Sequence, residues 1–527
     1  MSRAQRTLLL VLLLHGATAW WSRAAAQGGF QVRHDAYGWG YLSFGFSVEQ
    51  NAGGDILVFS NNDYLDTTTN LYWSSIVGAS RFSADGTFLS EDTLWRPQRA
   101  TYVGWSNCST LLSDGRVLVS GATFQNGDTN RTALYWFGQY GELLDHREFL
   151  PSSRSWITYQ HKNTPDGGFI LTGVTSATGI QDIFLLKTDS VGNAQWWQTY
   201  GHPTRGDYAT SVALAPDGGF YIGASYPQTA TKNVQWLLHT DSIGALLWEH
   251  FPGALQDVDY AYSEYVLATV DGEVICASGL YSGGNDQQTW PQLVKLDTAG
   301  NELWNRHYGV AFYGTGFFSV AEVSGNHDLI ACGQRYYVNN LNIPYSKGLL
   351  LRANSEGDSL WMREYAYYDS TVTDCEGTLR DVQPTPDGGF VAVGETRGNS
   401  NGNNPPGLSV DVWVVKVDSM GCIVPGCNGL TGITSAAINM QQALQIYPNP
   451  AHGRLQVQVA LPQGYVPQGS LSLTITTASG QVLRREDLPA GNGQSLELDL
   501  HGLAPGLYSL HLADAANWLA GQRFVVQ

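Results

Sequence analysis

The side chains best suited to chemistry lie in long segments rich in Tyr, Trp, Asn and Asp, at 280–291 and 336–347. Aromatic faces stack on sugar rings, and amides and carboxylates bind hydroxyl and peptide groups. We therefore expect a ligand-binding face for a glycan or a peptide. An alternative interpretation is that these segments vary only because nothing constrains them. The candidate residues are Tyr281, Asp286, Trp290, Tyr336, Tyr337, Asn340 and Tyr345.

Local catalytic and metal-binding motifs are missing from the sequence. The histidines are scattered without metal-ligand spacing, and no nucleophile elbow, phosphate-binding loop or dinucleotide-type Gly pattern occurs. We therefore predict no catalytic residue, no metal site and no cofactor. Carboxylates from distant segments can still meet in a folded repeat protein. A glycan- or peptide-active extracellular enzyme is thus the alternative to a binding or scaffold protein.

Two kinds of turn recur along the chain and must position those segments. The first precedes an apolar strand, as in "TPDGGFILTG" at 164–173, and the second follows one, as in "KTDSVGNAQWW" at 187–197. Each kind occurs seven times, and the two alternate. Their glycines suit tight hairpins because Gly accepts a positive φ. The first kind carries Gly54, Gly115, Gly167, Gly218, Gly272, Gly325 and Gly388, and the second Gly86, Gly141, Gly192, Gly244, Gly300, Gly357 and Gly421.

Each repeat contains four short strands, which indicates an all-β fold. Evenly repeated four-stranded units favour a β-propeller, and seven units fall in its usual range. The two short turns are expected on one face and the long segments on the other, around a central channel. Four tryptophans in a fixed register are expected to pack between units. These are Trp196, Trp248, Trp304 and Trp361.

The seventh repeat lacks an outer strand, because "GCIVPGC" at 421–427 stands where the other repeats continue. The segment "FQVRHDAYG" at 30–38 has the pattern of the missing strand. An unfilled edge would expose unpaired N–H and C=O groups. We therefore predict that residues 30–38 pair with the seventh unit and close the ring.

The N-terminus has the pattern of a secretory signal peptide: Arg3 and Arg6, then the apolar run 8–14, then small residues. Cleavage is predicted after Ala26, with Ala19 as the alternative. No later apolar run would span a bilayer, so no transmembrane helix is expected in the mature chain. The net charge of −18 makes nucleic acid an unfavourable partner.

Six cysteines fit an oxidising compartment without forming a disulfide-dense scaffold. A disulfide is predicted between Cys422 and Cys427. Cys276 and Cys332 lie in apolar strands and are interpreted as buried small hydrophobic residues. The pattern leaves Cys108 and Cys375 unassigned.

The repeats stop near 427, and the last strands alternate with Gly, Pro and Asn turns, which predicts a small antiparallel, Ig-like β-sandwich. This region resembles the type A C-terminal sorting domain of the type IX secretion system of Bacteroidota. The repeats likewise resemble those of cargo proteins from such bacteria. The matching residues are Tyr447, Pro448, Asn449, Pro450, Gly502, Gly506 and Tyr508.

The resemblance implies export to the extracellular space or the outer-membrane surface. Its expected partners are the type IX translocon and the peptidase that removes the sorting domain. The predicted organisation is a signal peptide at 1–26, a seven-bladed propeller at 27–428, a linker at 429–443 and a sorting domain at 444–527. The leading prediction is a non-catalytic binding or scaffold protein.

Overall fold

A computed structural model describes residues 29–423 and 443–527, apart from short gaps. All regular elements of the described residues are β-strands, which confirms the all-β prediction. The described part of the chain has no apolar helix of membrane-spanning length. The gaps are 36–40, 66–71, 97–98, 126–128, 177, 229–232, 253–257, 283–288, 310–314, 339–343, 368–375, 398–409, 462–469, 478–481, 489–493 and 515–517.

Two compact units divide the chain, and the larger one spans 30–385 and 390–416. Its strands form antiparallel groups that follow one another in sequence. Group 1 contains β2 (Tyr41–Gln50), β3 (Ile56–Leu65), β4 (Tyr72–Phe82) and β5 (Phe88–Leu94). Group 2 contains β6 (Ala100–Val103), β7 (Ser109–Leu111), β8 (Val117–Phe124), β9 (Arg131–Phe137) and β10 (Leu143–Phe149), with β6 and β7 both paired to β8. Group 3 contains β11 (Trp156–Asn163), β12 (Phe169–Thr175), β13 (Asp182–Thr188) and β14 (Ala194–Tyr200).

The same order of pairing continues through the rest of this unit. Group 4 contains β15 (Tyr208–Leu214), β16 (Phe220–Pro227), β17 (Asn233–Thr240) and β18 (Leu246–His250). Group 5 contains β19 (Val258–Ala268), β20 (Val274–Ser282), β21 (Thr289–Leu296) and β22 (Glu302–His307). Group 6 contains β23 (Gly316–Val323), β24 (Asp328–Val338), β25 (Pro344–Ala353) and β26 (Ser359–Tyr365). Group 7 contains β27 (Glu376–Pro384), β28 (Phe390–Arg397), β29 (Val410–Val417) and, from the N-terminal segment, β1 (Phe30–His34).

The pairing of β1 with β29 confirms the predicted partner of the N-terminal segment. The two strands are antiparallel, with Phe30 opposite Lys416 and His34 opposite Val412. Residues 36–38 of the predicted strand lie outside the described residues. Groups 7 and 1 share one sheet through a single parallel bridge between Leu42 and Val410.

The first strands of neighbouring groups also contact one another. Contacts join β2 to β7, β7 to β11, β11 to β15 and β15 to β19. They continue from β19 to β23, from β23 to β27, and from β27 back to β2. The first strands therefore form a continuous series of contacts that returns to its start.

The glycines of both recurring turns adopt the conformation that the sequence predicts. All fourteen have a positive φ, between 74° and 96°. Side-chain contacts join the two turns of a group, since a basic residue at the end of the third strand reaches an acidic residue beside the first turn. The pairs are Arg81–Asp55, Lys187–Asp166, His239–Asp217, Lys295–Glu273 and Arg352–Asp328. These contacts confirm that the two turns share one edge.

The tryptophans pack as predicted, each against the following group. A methyl group added at Gly244 would lie 2.9 Å from Trp196, and one added at Gly300 would lie 3.2 Å from Trp248. Trp304 covers Gly357 in the same manner. Trp361 is buried and packs on Phe390 in group 7. A second-turn glycine thus supplies the space that the preceding group's indole occupies.

The smaller unit contains the C-terminal strands, which form two antiparallel sheets. Buried apolar residues from both sheets form one cluster, which includes Leu455, Ile475 and Leu510. One sheet contains β30 (Leu444–Tyr447), β31 (Arg454–Val459) and β34 (Gln494–Asp499). The other contains β33 (Val482–Leu488), β32 (Leu471–Thr477), β35 (Gly506–Ala513) and β36 (Trp518–Val526).

Candidate functional site

Most first strands contain one β-bulge, which sets one residue out of register. The pairing with the second strand skips Phe46 in β2, Tyr159 in β11, Phe318 in β23 and Arg380 in β27. In group 2 the strand is interrupted instead, and Trp105 lies in the interruption. A bulge redirects a side chain without ending the sheet. The residues released in this way come together in a site that no single segment of sequence contains.

The Arg380 site consists of Arg380, Glu395, Phe46, Trp105 and Phe318. The Arg380 guanidinium carbon lies 4.9 Å from the ring centre of Phe46, 5.1 Å from that of Trp105 and 5.9 Å from that of Phe318. Glu395 on β28 accepts two hydrogen bonds from Arg380, from Nε and Nη2, both at 2.7 Å. Three aromatic rings from groups 1, 2 and 6 therefore frame a bidentate ion pair of group 7.

The ion pair of the Arg380 site is largely buried and electrically neutral. Glu395 is 8% exposed and offsets the charge of Arg380, which is 14% exposed. Glu395 accepts from Nε and Nη2 of Arg380, and across the described residues no protein acceptor lies on Nη1. Cation–π contacts with the rings hold the guanidinium plane in place.

Trp105 supplies the exposed aromatic surface beside this ion pair, whereas Phe46 is buried in the core of groups 1 and 2. Trp105 is 37% exposed, and its ring centre lies 5.5 Å from Phe46 and 6.5 Å from Tyr159. Burial raises the pKa of Tyr159 to about 12, so its hydroxyl stays protonated and can donate or accept a hydrogen bond. Such a surface can stack a sugar ring or an aromatic side chain and hydrogen-bond its polar edge.

A buried polar layer begins one residue after each bulge. Its centre is Asp381, which accepts hydrogen bonds from the Val48 backbone at 3.0 Å, from Asn107 Nδ2 at 3.1 Å and from Ser319 Oγ at 3.1 Å. Similar bonds link other groups: Val212 N–H donates to Gln160 Oε1 at 2.8 Å. This layer therefore links neighbouring first strands.

Two further ionisable residues belong to the polar layer. Glu49 accepts a hydrogen bond from Ser109 at 2.9 Å, and burial raises its pKa to about 7. Lys162 donates to Asn107 Oδ1 at 2.5 Å, and burial lowers its pKa. Burial likewise raises the pKa of Asp381. These carboxylates are enclosed and hydrogen-bonded to protein, which is unlike a substrate-accessible pair of catalytic acids.

The predicted ligand-face residues are only partly brought together. Tyr337 and Tyr345 are opposite each other on β24 and β25, and their rings stack at 5.2 Å. Arg335 and Lys347 lie 5.4 Å and 5.0 Å from the Tyr337 ring, and Glu364 Oε1 accepts from Arg335 at 2.8 Å. The Tyr337 stack is therefore a separate polar and aromatic cluster within group 6.

Tyr336 is separate from the Tyr337 stack and lies within electrostatic range of Glu395 and Arg380. Burial, followed by the nearby charge of Glu376, raises its pKa, and Glu395 and Arg380 also act on it. Trp290 stacks on His307 at 6.1 Å. Tyr281 lies in β20, but its side chain falls outside the described part of the chain. Asp286 and Asn340 lie outside the described residues altogether. The ligand-binding role of all seven stays a prediction.

Sequence reasoning missed the Arg380 site because it searched the long connections between strands. A signal does exist in the first strands. Phe46-Ser47-Val48, Thr210-Ser211-Val212, Phe318-Ser319-Val320 and Arg380-Asp381-Val382 each place a bulged residue before a polar residue and a valine. That triplet marks four of the bulges, and three of the four bulged residues, Phe46, Phe318 and Arg380, belong to the Arg380 site.

Four of the six cysteines lie in the described residues: Cys108, Cys276, Cys332 and Cys422. Cys108, Cys276 and Cys332 are buried and form no disulfide, and burial was predicted for the latter two. Burial raises the pKa of the Cys108 and Cys332 thiols, which makes them poor nucleophiles. Cys427 and Cys375 lie outside the described residues, so the Cys422–Cys427 disulfide stays a prediction. Across the described ranges, no group of three or more His, Cys, Asp or Glu is placed to hold a metal ion.

The sorting-motif residues form a hydrogen-bonded corner of the smaller unit. The Asn449 amide donates to the Arg523 carbonyl at 2.9 Å and accepts from the Val525 backbone at 3.0 Å. The Tyr508 hydroxyl donates to the Ala504 carbonyl at 2.7 Å. The turn that begins at Tyr447 is thus tied to the last strand of the chain.

Comparison with known families identifies this unit. Residues 445–527 match the family described as "Secretion system C-terminal sorting domain". The protein is therefore exported through the type IX secretion system, to the cell surface or the extracellular space. No curated protein matches the chain.

Solved structures resemble the larger part of the chain only distantly. A protein of unknown function from Dyadobacter fermentans is 13% identical, with a TM-score of 0.41, over 74% of this chain and 97% of its own. An inactive virginiamycin B lyase from Staphylococcus aureus has the same identity and TM-score, over 74% and 99%. A polysaccharide lyase described as an ulvan lyase is 8% identical, with a TM-score of 0.46, over 76% and 98%. These values support no assignment of activity.

Proposed function

We propose that this protein is an exported β-propeller that binds an extracellular glycan at the Arg380 site without catalysing its cleavage. The propeller would have seven blades, one for each antiparallel group, with β1 as the last outer strand. The cycle of contacts between first strands and the pairing of β1 with β29 support this architecture. The Asp381 hydrogen bonds to groups 1, 2 and 6 support it independently.

The observation that carries the binding function is the convergence of bulged residues from groups 1, 6 and 7 with Trp105 of group 2. Exposed aromatic surface beside a guanidinium suits a sugar ring, whose apolar face stacks while its hydroxyls hydrogen-bond. Glu395 already neutralises Arg380, and the chain carries a net charge of −18. Both features disfavour an anionic ligand. A neutral sugar unit is therefore the proposed ligand.

The rest of the organisation is proposed from the sequence. Residues 1–26 would direct passage through the inner membrane, 27–428 would form the propeller, and 429–443 would be a linker. Residues 444–527 would form an Ig-like sandwich, recognised by the translocon and then removed by its sorting peptidase. The single apolar cluster shared by the two C-terminal sheets supports the sandwich.

The test uses the purified full chain on arrays of neutral and acidic glycans and of peptides, followed by titration of each hit. We expect neutral glycans to bind, and Trp105→Ala to weaken that binding at least about tenfold, the loss of one stacking contact and its buried area. Trp95→Ala is the matched control, since Trp95 is 61% exposed and lies outside the site.

Three results would contradict the proposal. Binding that Trp105→Ala leaves unchanged would remove the site from the interaction. Binding confined to acidic glycans or peptides would overturn the ligand class. Cleavage products formed by the full chain from any bound glycan or peptide would overturn the non-catalytic function and favour the enzyme.

A further inference from the structure

The side chains of Lys162 and Asn107 meet in the polar layer, between the first strands of groups 3 and 2. Lys162 Nζ lies 2.5 Å from the amide oxygen of Asn107. Asn107 is 5% exposed, and its backbone has a φ of 53°, in the left-handed region. Its backbone N–H donates to the Phe46 carbonyl at 3.2 Å. The Lys162 amine thus contacts Oδ1 of Asn107, which is bonded directly to Cγ, the electrophilic carbon of the amide.

The other end of the same amide is held by a carboxyl group. Asn107 Nδ2 donates to Asp381 Oδ1 at 3.1 Å, so a proton carrier lies on the nitrogen that would leave. Glu49 is hydrogen-bonded to Ser109, which contacts Ser47, a second donor to Asp381. Amine, amide and acid are therefore arranged in series around one carbon.

The enclosed position also sets the protonation states. Burial lowers the pKa of Lys162, which favours the nucleophilic amine over the ammonium form. Burial raises the pKa of Asp381 and, to about 7, that of Glu49, which favours proton-carrying carboxylic acids. Fixed geometry converts a slow reaction between an amine and an amide into an intramolecular one.

We propose that Lys162 and Asn107 become joined by an intramolecular isopeptide bond, with Asp381 as the proton carrier. Lys162 gives its proton to a carboxylate, and Nζ attacks Cγ of Asn107 to form the Nζ–Cγ bond. Asp381 protonates Nδ2, the Cγ–Nδ2 bond breaks, and ammonia leaves. Nζ loses a further proton to the carboxylate, which passes it to the departing ammonia, so the net products are the amide and an ammonium ion. No oxidant or other reactant is required.

The bond would join groups 2 and 3 at the strand interruption that contains Trp105. Group 2 lacks a continuous first strand there, since β6 ends at Val103 and β7 begins at Ser109. A covalent link from 107 to 162 restrains the unfolded chain and stabilises the folded one. The inference does not depend on the proposed glycan function.

Peptide mapping of the full mature chain, digested with trypsin under denaturing conditions, tests the bond directly. We expect residues 100–116 linked to residues 155–187, with no cleavage after Lys162 and a mass about 17 Da below the sum of the two, from lost ammonia. Because the mass loss is assigned to individual peptides, it is distinguished from ammonia loss at an N-terminal Gln27. Separate linear peptides 100–116 and 155–162 in the wild-type chain would overturn the proposal.

Two variants identify the participants. Lys162→Arg abolishes the linked peptide, whereas the matched Lys187→Arg, in the same group, retains it. Asp381→Asn reduces the linked fraction at least about tenfold, as expected when a proton carrier is removed. A linked peptide that persists unchanged in Asp381→Asn would contradict the role of Asp381, and one that persists in Lys162→Arg would contradict the bond.

Discussion

The backbone N–H of Val48 donates a hydrogen bond to the carboxylate of Asp381 at 3.0 Å, although 333 positions separate the two residues. Ser47, Asn107 and Ser319 donate to the same carboxylate. One fully buried side chain thus connects the first strands of four groups. Asp381 therefore stabilises the contacts between these four groups.

Asp381→Ala is expected to lower the free energy of unfolding by about 3–5 kcal/mol, because it leaves several buried donors without an acceptor. Chemical denaturation of the purified chain measures the change. Asp145→Ala is the control, since Asp145 is exposed and should stay within about 0.5 kcal/mol of the wild type. Equal effects of the two substitutions would show that the Asp381 bonds contribute little.

Strand β1 is expected to stabilise group 7 as a separable outer strand. A chain that begins at Asp35 loses the ladder to β29 and the buried parts of Phe30 and Val32, which pack with the cluster around Val414. The free energy of unfolding should fall by about 3–5 kcal/mol. Adding a synthetic peptide of residues 28–36 should restore the thermal midpoint by strand addition.

A peptide of the same composition in scrambled order is the control for that rescue. It should leave the midpoint of the truncated chain unchanged, because register with β29 is fixed by side-chain alternation. Equal rescue by both peptides, or rescue by neither, would argue against a specific β1–β29 pairing.

The sequence predicts those parts of the fold that depend on local chemistry. The turn glycines were identifiable because Asp-Gly and Ser-x-Gly patterns demand a positive φ, which all fourteen positions show. Strand β1 was identifiable because the seventh repeat lacks its own fourth strand. The packing of Trp196 on Gly244 follows from a register that is visible in the repeat.

The Arg380 site was not predictable in the same way. A bulge is a property of pairing between two strands, and Arg380 in isolation is an ordinary strand arginine. Its neighbours Phe46 and Trp105 are more than 270 positions away in sequence, so only the three-dimensional contacts join them. The predicted face around Tyr337 was chosen by composition, and composition does not distinguish an internal stack from an open surface.

His161 is expected to destabilise the protein in acid. It is fully buried, both ring nitrogens lack a partner within the described residues, and burial lowers its pKa to about 3. The unfolded chain binds a proton near pH 6.5, whereas the folded one does so only near pH 3. Between these values the unfolded state binds more protons, so stability falls as the pH falls, by about 1.4 kcal/mol per unit.

His161→Leu removes this dependence while conserving most of the volume. The difference in unfolding free energy between variant and wild type should therefore grow in favour of the variant, by about 1.4 kcal/mol per pH unit below 6.5. Denaturation at pH 7, 6 and 5 measures it, and subtraction cancels the titration of Glu49. A pH-independent difference would show that the pKa of His161 in the folded protein is close to its value in the unfolded chain.

Substitution of Trp105 and of Arg380 should change stability by different amounts. Trp105 is partly exposed, whereas Arg380 is paired with the buried carboxylate of Glu395. Trp105→Ala is expected to lower ligand affinity with a stability change below about 1 kcal/mol, given that 37% of the residue is exposed. Arg380→Ala should lower affinity and also cost about 3 kcal/mol of stability, because it leaves Glu395 as an unpaired, 8% exposed carboxylate.

The double variant Arg380→Met with Glu395→Gln removes the charges together and should recover most of that stability without recovering affinity. Parallel titration calorimetry and denaturation of the three variants make the comparison, and a double variant that regains wild-type affinity would show that the guanidinium edge does not contact the ligand.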